Sequence, residues 1–207
     1  RELLDITRRC NQLLVSRGFY LASISLPPAD FTKGVVLLEV DAGRTGKTAF
    51  YRRAARARAD ARVVGTTTNV PYRGRYFSEA QLRARLASLK EGAPFDYNAF
   101  YRGVYGINTH PDLILDTDLR VRTMELPDGL QRYVDMDFFV RERLPVHGVL
   151  SVANSGTEVT GDWRPSLTLQ HLNLTKRDDV LTVNAGPIST DVEALKSGAA
   201  SYYLPYA

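Results

Sequence analysis

Cysteine is almost missing from this sequence: Cys10 is the only one in 207 residues. No intramolecular disulfide can form, and a zinc site built on several cysteines is excluded. Histidine is nearly as scarce, and His110, His147 and His171 fall without the spacing that shared metal ligation needs. No run of about 18 apolar residues occurs, so no transmembrane helix is expected. Arg1 opens the chain with neither a Met nor a signal-like apolar stretch, and the sequence reads as part of something longer. What is present, 44% hydrophobic and 24% charged residues, is ordinary globular composition. The length suits one large domain or two modest ones.

Positive charge is concentrated in one place. The formal charge is +4, yet residues 1–43 balance and residues 78–143 and 144–207 are each slightly acidic. Residues 44–77 carry nine basic side chains against one acidic. Here Arg52, Arg53, Arg56, Arg58 and Arg62 are interleaved with Ala54, Ala55, Ala57, Ala59 and Ala61. That composition suits a solvated helix or flexible insertion, with an anion or lipid-headgroup contact as the alternative. No recognisable nucleic-acid module accompanies it, so no nucleic-acid partner is assigned.

Periodicity divides the first 143 residues into two similar runs. Leu3, Leu4, Ile6, Cys10, Leu13 and Leu14 share a helical face over residues 1–17, and Gly18 stands where a helix-ending glycine belongs. Cys10 lies on that apolar stripe as a small core residue, with no His or Asp spaced to activate it. Tyr20, Ala22, Ile24 and Leu26 alternate with smaller residues in a strand pattern ended by Pro27-Pro28. Asp30 to Gly34 is turn chemistry, and Val35 to Val40 reads as a second strand.

The same grammar returns after the basic segment. Ser78-Glu79-Ala80-Gln81 is a capping box ahead of Leu82, Leu86 and Leu89, with Gly92 at the end. Pro94 and Asp96 introduce a helix carrying Phe100, Val104 and Ile107. Leu113, Leu115, Leu119 and Val121 share one parity of a strand, Pro127-Asp128-Gly129 makes a turn, and Val134, Met136, Phe138 and Val140 alternate with Tyr133, Asp135, Asp137 and Arg141. Residues 64–143 therefore read as β-α-α-β-β, and residues 1–43 as the tail of a similar unit.

From Leu144 onward only strands are expected, near 146–155, 163–174, 179–189 and 198–207. Nearly all charged residues of this section, including Lys176 to Asp179, fall between them or at their ends. Leu167 and Leu169 alternate with Ser166, Thr168 and Gln170, and Leu181 and Val183 with Thr182 and Asn184. Trp163, Tyr202, Tyr203 and Tyr206 sit near strand ends. Tilted strands of about 9–11 residues with one apolar face and interfacial aromatics suit a membrane barrel. A soluble sandwich predicts a similar alternation, so the pattern by itself leaves both open.

Sites for chemistry are not found. Gly43-Arg44-Thr45-Gly46-Lys47-Thr48 contains Gly-Lys-Thr, but a phosphate loop needs a glycine five positions before Gly46, where Asp41 stands. Asp178-Asp179 fits a turn, and Asp135 with Asp137 an exposed strand face, rather than an acid/base pair. Neither an enzyme activity nor a cofactor is assigned.

Three sets of strings occur in order: Gly18-Phe19-Tyr20 through Leu26-Pro27-Pro28, with Gly34-Val35-Val36-Leu37 and Asp41-Ala42-Gly43-Arg44; Phe77-Ser78 through Gly92-Ala93-Pro94-Phe95-Asp96, with Ile107-Asn108 and Pro111-Asp112; and Asn154-Ser155-Gly156-Thr157, Thr160-Gly161, Asn173-Leu174, Asp178 to Leu181 and Ser201 to Pro205. Together they resemble the two-partner secretion transporters of Gram-negative outer membranes, the haemolysin-activator type of pore. The resemblance spans nearly the whole chain. It implies an α+β chain: the end of a first polypeptide-transport-associated (POTRA) domain over 1–43, a basic linker over 44–63, a second POTRA domain over 64–143, and the first four strands of a 16-stranded barrel over 144–207. The Arg/Ala stretch is longer than that family leads one to expect. The opening strand of the second domain is therefore left between Thr48–Arg52 and a start near Ala61–Gly65.

The implied function is export of an unfolded passenger protein through an outer-membrane barrel, with residues 1–143 in the periplasm and outer-membrane lipid around the strands. In the family order, the strand after each second helix lies at a sheet edge and can take up an extended peptide by β-augmentation. Tyr20, Ala22, Ile24 and Leu26 mark that strand in the first unit, and Leu113, Leu115, Leu119 and Val121 in the second. Two other readings stand beside this one: a barrel-assembly factor of the same superfamily, and a soluble β-rich binding domain using Trp163 and the tyrosines as a platform.

Overall fold

A computed structural model describes residues 2–26, 35–53, 70–127, 129–155, 162–186 and 197–205. The Pro27-Pro28 strand ending, the turn at residues 30–34, most of the Arg/Ala stretch with the alternative start at Ala61–Gly65, Asp128, Gly156-Thr157, Thr160-Gly161 and Tyr206 lie outside the described residues. Contacts divide the chain into two units. The first holds Arg1–Arg73 and Leu82–Arg141, and the second Gly74–Gln81 and Glu142–Ala207.

In the first unit α1 (Glu2–Ser16) ends at Gly18, whose φ of 97° only glycine adopts freely. Phe19 N–H reaches back to the Leu14 carbonyl at 2.9 Å, closing the helix end in the manner of a Schellman cap. The strands that follow are shorter than the alternation suggests. β1 is Ser23–Ser25 and β2 is Glu39–Asp41, paired antiparallel with Ser23 opposite Asp41. Tyr20 and Leu21 lie in a turn, and Val35 to Leu38 are exposed non-strand residues. A ladder is only as long as its partner, and three residues on each side are all that meet.

β3 (Arg44–Arg52) opens a second, larger layer. It runs parallel to β6 (Gly129–Glu142), with Thr45 opposite Val134 and Phe50 opposite Phe138. The strand thus begins inside the stretch read as a basic linker and contains the Thr48–Arg52 alternative, with Phe50 as its buried apolar side chain. β4 (Val70–Pro71) pairs with its far end, and β5 (Leu113–Leu126) completes the order β4-β3-β6-β5. Between β4 and β5 come α2 (Glu79–Arg85) and α3 (Tyr97–Asn108). Asp96 caps α3 by accepting from the Asn98 and Ala99 N–H groups at 2.8 and 3.1 Å. The core gathers Phe50, Val134, Met136, Phe138 and Val140 from the sheet with Leu86, Phe100 and Ile107 from the helical side, all at most 6% exposed.

The second unit is a four-stranded antiparallel meander in the order β10-β9-β8-β7: β7 (Val146–Ala153), β8 (Arg164–Leu172), β9 (Val180–Ala185) and β10 (Gly198–Tyr203). The turn from β8 to β9 is built on Asp179, which accepts from Thr175 N–H at 2.9 Å and its hydroxyl at 2.9 Å. Burial raises the Asp179 carboxyl, but these donors, with the Tyr202 hydroxyl, outweigh it and hold the group below its ordinary value. Residues 74–81 belong here too. Ser78 and Gln81 form the reciprocal capping box at 3.0 and 3.2 Å, and Gln81 also donates to Asn173 and Asp178. Among the described residues no helix is long and apolar enough to cross a membrane, a statement that does not concern strands.

Candidate functional site

Of the two strands expected to offer a free edge, the structure leaves one open. In an antiparallel strand the N–H and C=O of one residue point to the same side, and sides alternate along the chain. In β1 the outward pair belongs to Ile24, and Asn11 from α1 occupies both groups: Ile24 N–H donates to Asn11 Oδ1 at 2.8 Å, and Asn11 Nδ2 donates to the Ile24 carbonyl at 3.1 Å. Ala22 and Leu26 flank the strand, and half-exposed Tyr20 stands edge-on to Tyr97, 5.1 Å between ring centres. The first-unit residues therefore frame an edge whose one outward backbone pair is already taken.

β5 is different. It is 14 residues long and ends the described sheet. Asn108, the last residue of α3, clamps Leu115 in the same way: Leu115 N–H donates to its Oδ1 at 2.7 Å and its Nδ2 donates to the Leu115 carbonyl at 3.0 Å. That fixes the parity. The backbone groups of Thr117, Leu119, Val121 and Thr123 also point away from β6, and they follow the clamp.

The four side chains read from the sequence divide at the same place. Leu113 and Leu115 are 1% and 2% exposed and anchor the strand in the core, whereas Leu119 and Val121 are 37% and 56% exposed. Neither asparagine stands out in the sequence, where a polar residue in or after a helix signals only a helix end. Nothing in composition or spacing could have identified the two clamps.

The opposite face of β5 and β6 is a charge ladder. Arg120 pairs with Asp137, Arg122 with Asp135 at 3.0 Å, and Arg141 stands 4.0 Å from Asp116. These pairs step in opposite directions along the two strands, as only an antiparallel register allows. Asp135 also receives Lys47 N–H at 2.8 Å, at the bulge where Gly46 and Lys47 both stand opposite it. A Cβ at Gly46 would run into Asp135 Oδ1 and stand 2.9 Å from the Val134 carbonyl oxygen, so the glycine is required by close approach. Burial raises the Asp135 carboxyl, and the Arg122 and Lys47 donors more than offset it, leaving it below the ordinary 3.8. The Gly-Lys-Thr string is thus a bulged strand pinned to a carboxylate.

The second unit presents two chemically distinct faces. Residues directly opposite in an antiparallel ladder point to the same face. One face collects Val146, Gly148, Leu150 and Val152 of β7, Pro165, Leu167, Leu169 and His171 of β8, Leu181, Val183 and Ala185 of β9, and Gly198, Ala200 and Tyr202 of β10. The other carries Ser151 bonded to Ser166 at 2.6 Å, Thr168 to Asn184 at 2.8 Å, and Gln170 to Thr182 at 3.3 Å. The apolar face is open: Leu150 is 73% and Val152 57% exposed. Trp163 stands at one rim, and Tyr202 and Tyr203 at the turn-side rim.

Two solved structures share this fold. CdiB from Escherichia coli matches over 99% of this chain with a TM-score of 0.60 at 18% identity, and CdiB from Acinetobacter baumannii over 89% with 0.58 at 20%. The matches cover 33% and 29% of those proteins, so the chain spans about a third of their length. Likeness at these identities establishes the architecture. No protein-family model matches the sequence, and no curated protein matches it significantly.

Proposed function

We propose that this chain is the periplasmic adaptor and the opening strands of an outer-membrane pore of the two-partner secretion type, which passes an unfolded partner protein outward. On this reading β3-α2-α3-β5-β6 is a POTRA domain, α1-β1-β2 is the end of a preceding one, and β7 to β10 begin a barrel. The observation that carries it is the two-faced sheet of the second unit. An uncovered apolar face backed by a polar, hydrogen-bonded face is what lipid on one side and an aqueous lumen on the other require. Aromatic residues at both rims and a β8 of nine residues agree with a tilted membrane strand.

The passenger joins at β5. Pairing through backbone groups needs little side-chain identity, and ordering the peptide costs roughly 1–2 kcal/mol per residue, so the hold is weak and releasable. The chain performs no covalent step on this reading. The test is made in a Gram-negative host expressing the whole gene and its passenger, with Cys10→Ser and Leu119→Cys in the pore and single cysteines along the passenger. A crosslink confined to one passenger segment, with secretion lost on deletion of the pore gene and other outer-membrane barrels unchanged, is the expected result. Continued secretion with depleted barrels would overturn it in favour of barrel assembly.

A further inference from the structure

Helix α3 carries three exposed tyrosines: Tyr97 stands edge-on to Tyr20, and the core accounts for neither Tyr101 nor Tyr105. Tyr97, Tyr101 and Tyr105 are 36%, 56% and 61% exposed, and the rings of the last two stack 6.0 Å apart. At about 100° per residue, Tyr101 and Tyr97 lie within about 20° of Asn108 around the helix, and Tyr105 within about 60°. Asn108 is the residue that reaches the outward backbone of β5. Tyr97 and Tyr101 therefore stand on the side of α3 that faces the free edge, and Tyr105, stacked on Tyr101, lies beside them and further from the buried face.

Their spacing matches that edge. Residues four apart on a helix advance about 6 Å, and alternate residues of a strand about 6.7 Å. A strand paired onto β5 would set alternate side chains toward Tyr101 and Tyr97, with Tyr105 backing Tyr101, beside exposed Leu119 and Val121. Its remaining side chains would lie on the face of Asp116, Asp118, Arg120 and Arg122, where charged partners already stand in a ladder.

We infer that α3 is a tyrosine rail which selects passenger segments of strictly alternating apolar and polar residues, and that Asn108 is the stop setting where such a segment begins, before Thr117. This rests on the edge-pairing role of β5 proposed above, and gives it a preference for amphipathic, strand-prone segments over unfolded chain in general.

The test uses the full chain in detergent and two fluorescein-labelled ten-residue peptides of identical composition. One alternates valine with threonine and lysine; the other groups its valines so that both faces are mixed. The alternating peptide should bind at least tenfold more tightly. Tyr101→Ala with Tyr105→Ala should erase that difference, and the paired Phe variants should keep it; both rings are more than half exposed, so the core is untouched. Equal binding of the two peptides, or a preference that survives the double alanine change, would overturn the rail. The edge itself is read separately with Leu119→Pro, which removes an outward N–H and no ladder bond. Loss of both peptides supports edge pairing, while unchanged binding of both would sink edge pairing and the rail together.

Discussion

Each unit contains a four-stranded sheet with one apolar face, and the two faces meet opposite fates. In the first, Val134, Met136, Phe138 and Val140 are at most 1% exposed beneath the helical layer. In the second, Leu150, Val152, Leu169 and Val183 are between 40% and 73% exposed, with no second layer among the described residues. The outer faces differ as well. The first sheet carries full charges held in cross-strand pairs, the second mainly hydroxyls and amides bonded to one another, with Arg164 at a strand end. Period-two alternation tells which residues share a face. It does not tell what covers that face; the two sheets are told apart by the helical layer over the first and the exposure of the second.

The sharpest way to break this contrast is to remove one ring. Phe138 is fully buried and stacks on Phe50 at 5.0 Å. Phe138→Ala should cost the first unit about 3–5 kcal/mol, seen as a fall in its urea midpoint. Leu150→Ala, at 73% exposure, should change the midpoint in detergent by less than about 1 kcal/mol. Equal losses would mean that the two apolar faces are covered alike.

A smaller effect tests lipid directly. Ala200 and Ser201 are neighbours on β10, both exposed, and point to the apolar and polar faces respectively. In water an arginine at either would cost the same small amount. In a bilayer Ala200→Arg should destabilise the folded chain by up to about 2–4 kcal/mol, depending on depth, and Ser201→Arg by much less. Folding titrations in lipid vesicles measure both, and indistinguishable values would remove the membrane reading of this sheet.

The sequence revealed faces more readily than edges. The alternation through Val134 to Val140 and Leu167 to Val183 located three of the strands, because side chains of a ladder alternate between two faces with period two. The capping box at Ser78 and the Asp96 cap were visible because local hydrogen bonding selects those residue types. Strand length in β1 and β2 was not visible, since it depends on a partner distant in sequence. β3 was legible only as one of two alternatives, Thr48–Arg52, because Arg44, Lys47 and Arg52 dominate the composition there. The Asn11 and Asn108 clamps were invisible for a related reason: each acts on a backbone group, and a backbone leaves no side-chain pattern.

The charged outer face makes the smallest prediction, and its sign can be worked out. Asp135 is held below its ordinary 3.8 because the Arg122 and Lys47 donors outweigh the effect of burial. A carboxylate with a lowered folded-state value stabilises the fold above the unfolded value, and that stabilisation is lost as pH falls through the folded one. Asp135→Asn should therefore cost the first unit about 1 kcal/mol at neutral pH, a figure kept small because Arg122 is 42% exposed. The difference from the parent should shrink below pH 4 and vanish in stronger acid. Asp179 is shifted in the same direction in the second unit, so the parent's own acid response contains both groups, and only subtraction of the variant isolates Asp135. Urea midpoints from pH 7 downward supply the curve. A gap that stays constant into acid would mean that Asp135 serves through a hydrogen bond that does not need its charge, such as the one it accepts from Lys47 N–H, and the outer face of the first sheet would then owe its order to hydrogen bonding rather than charge.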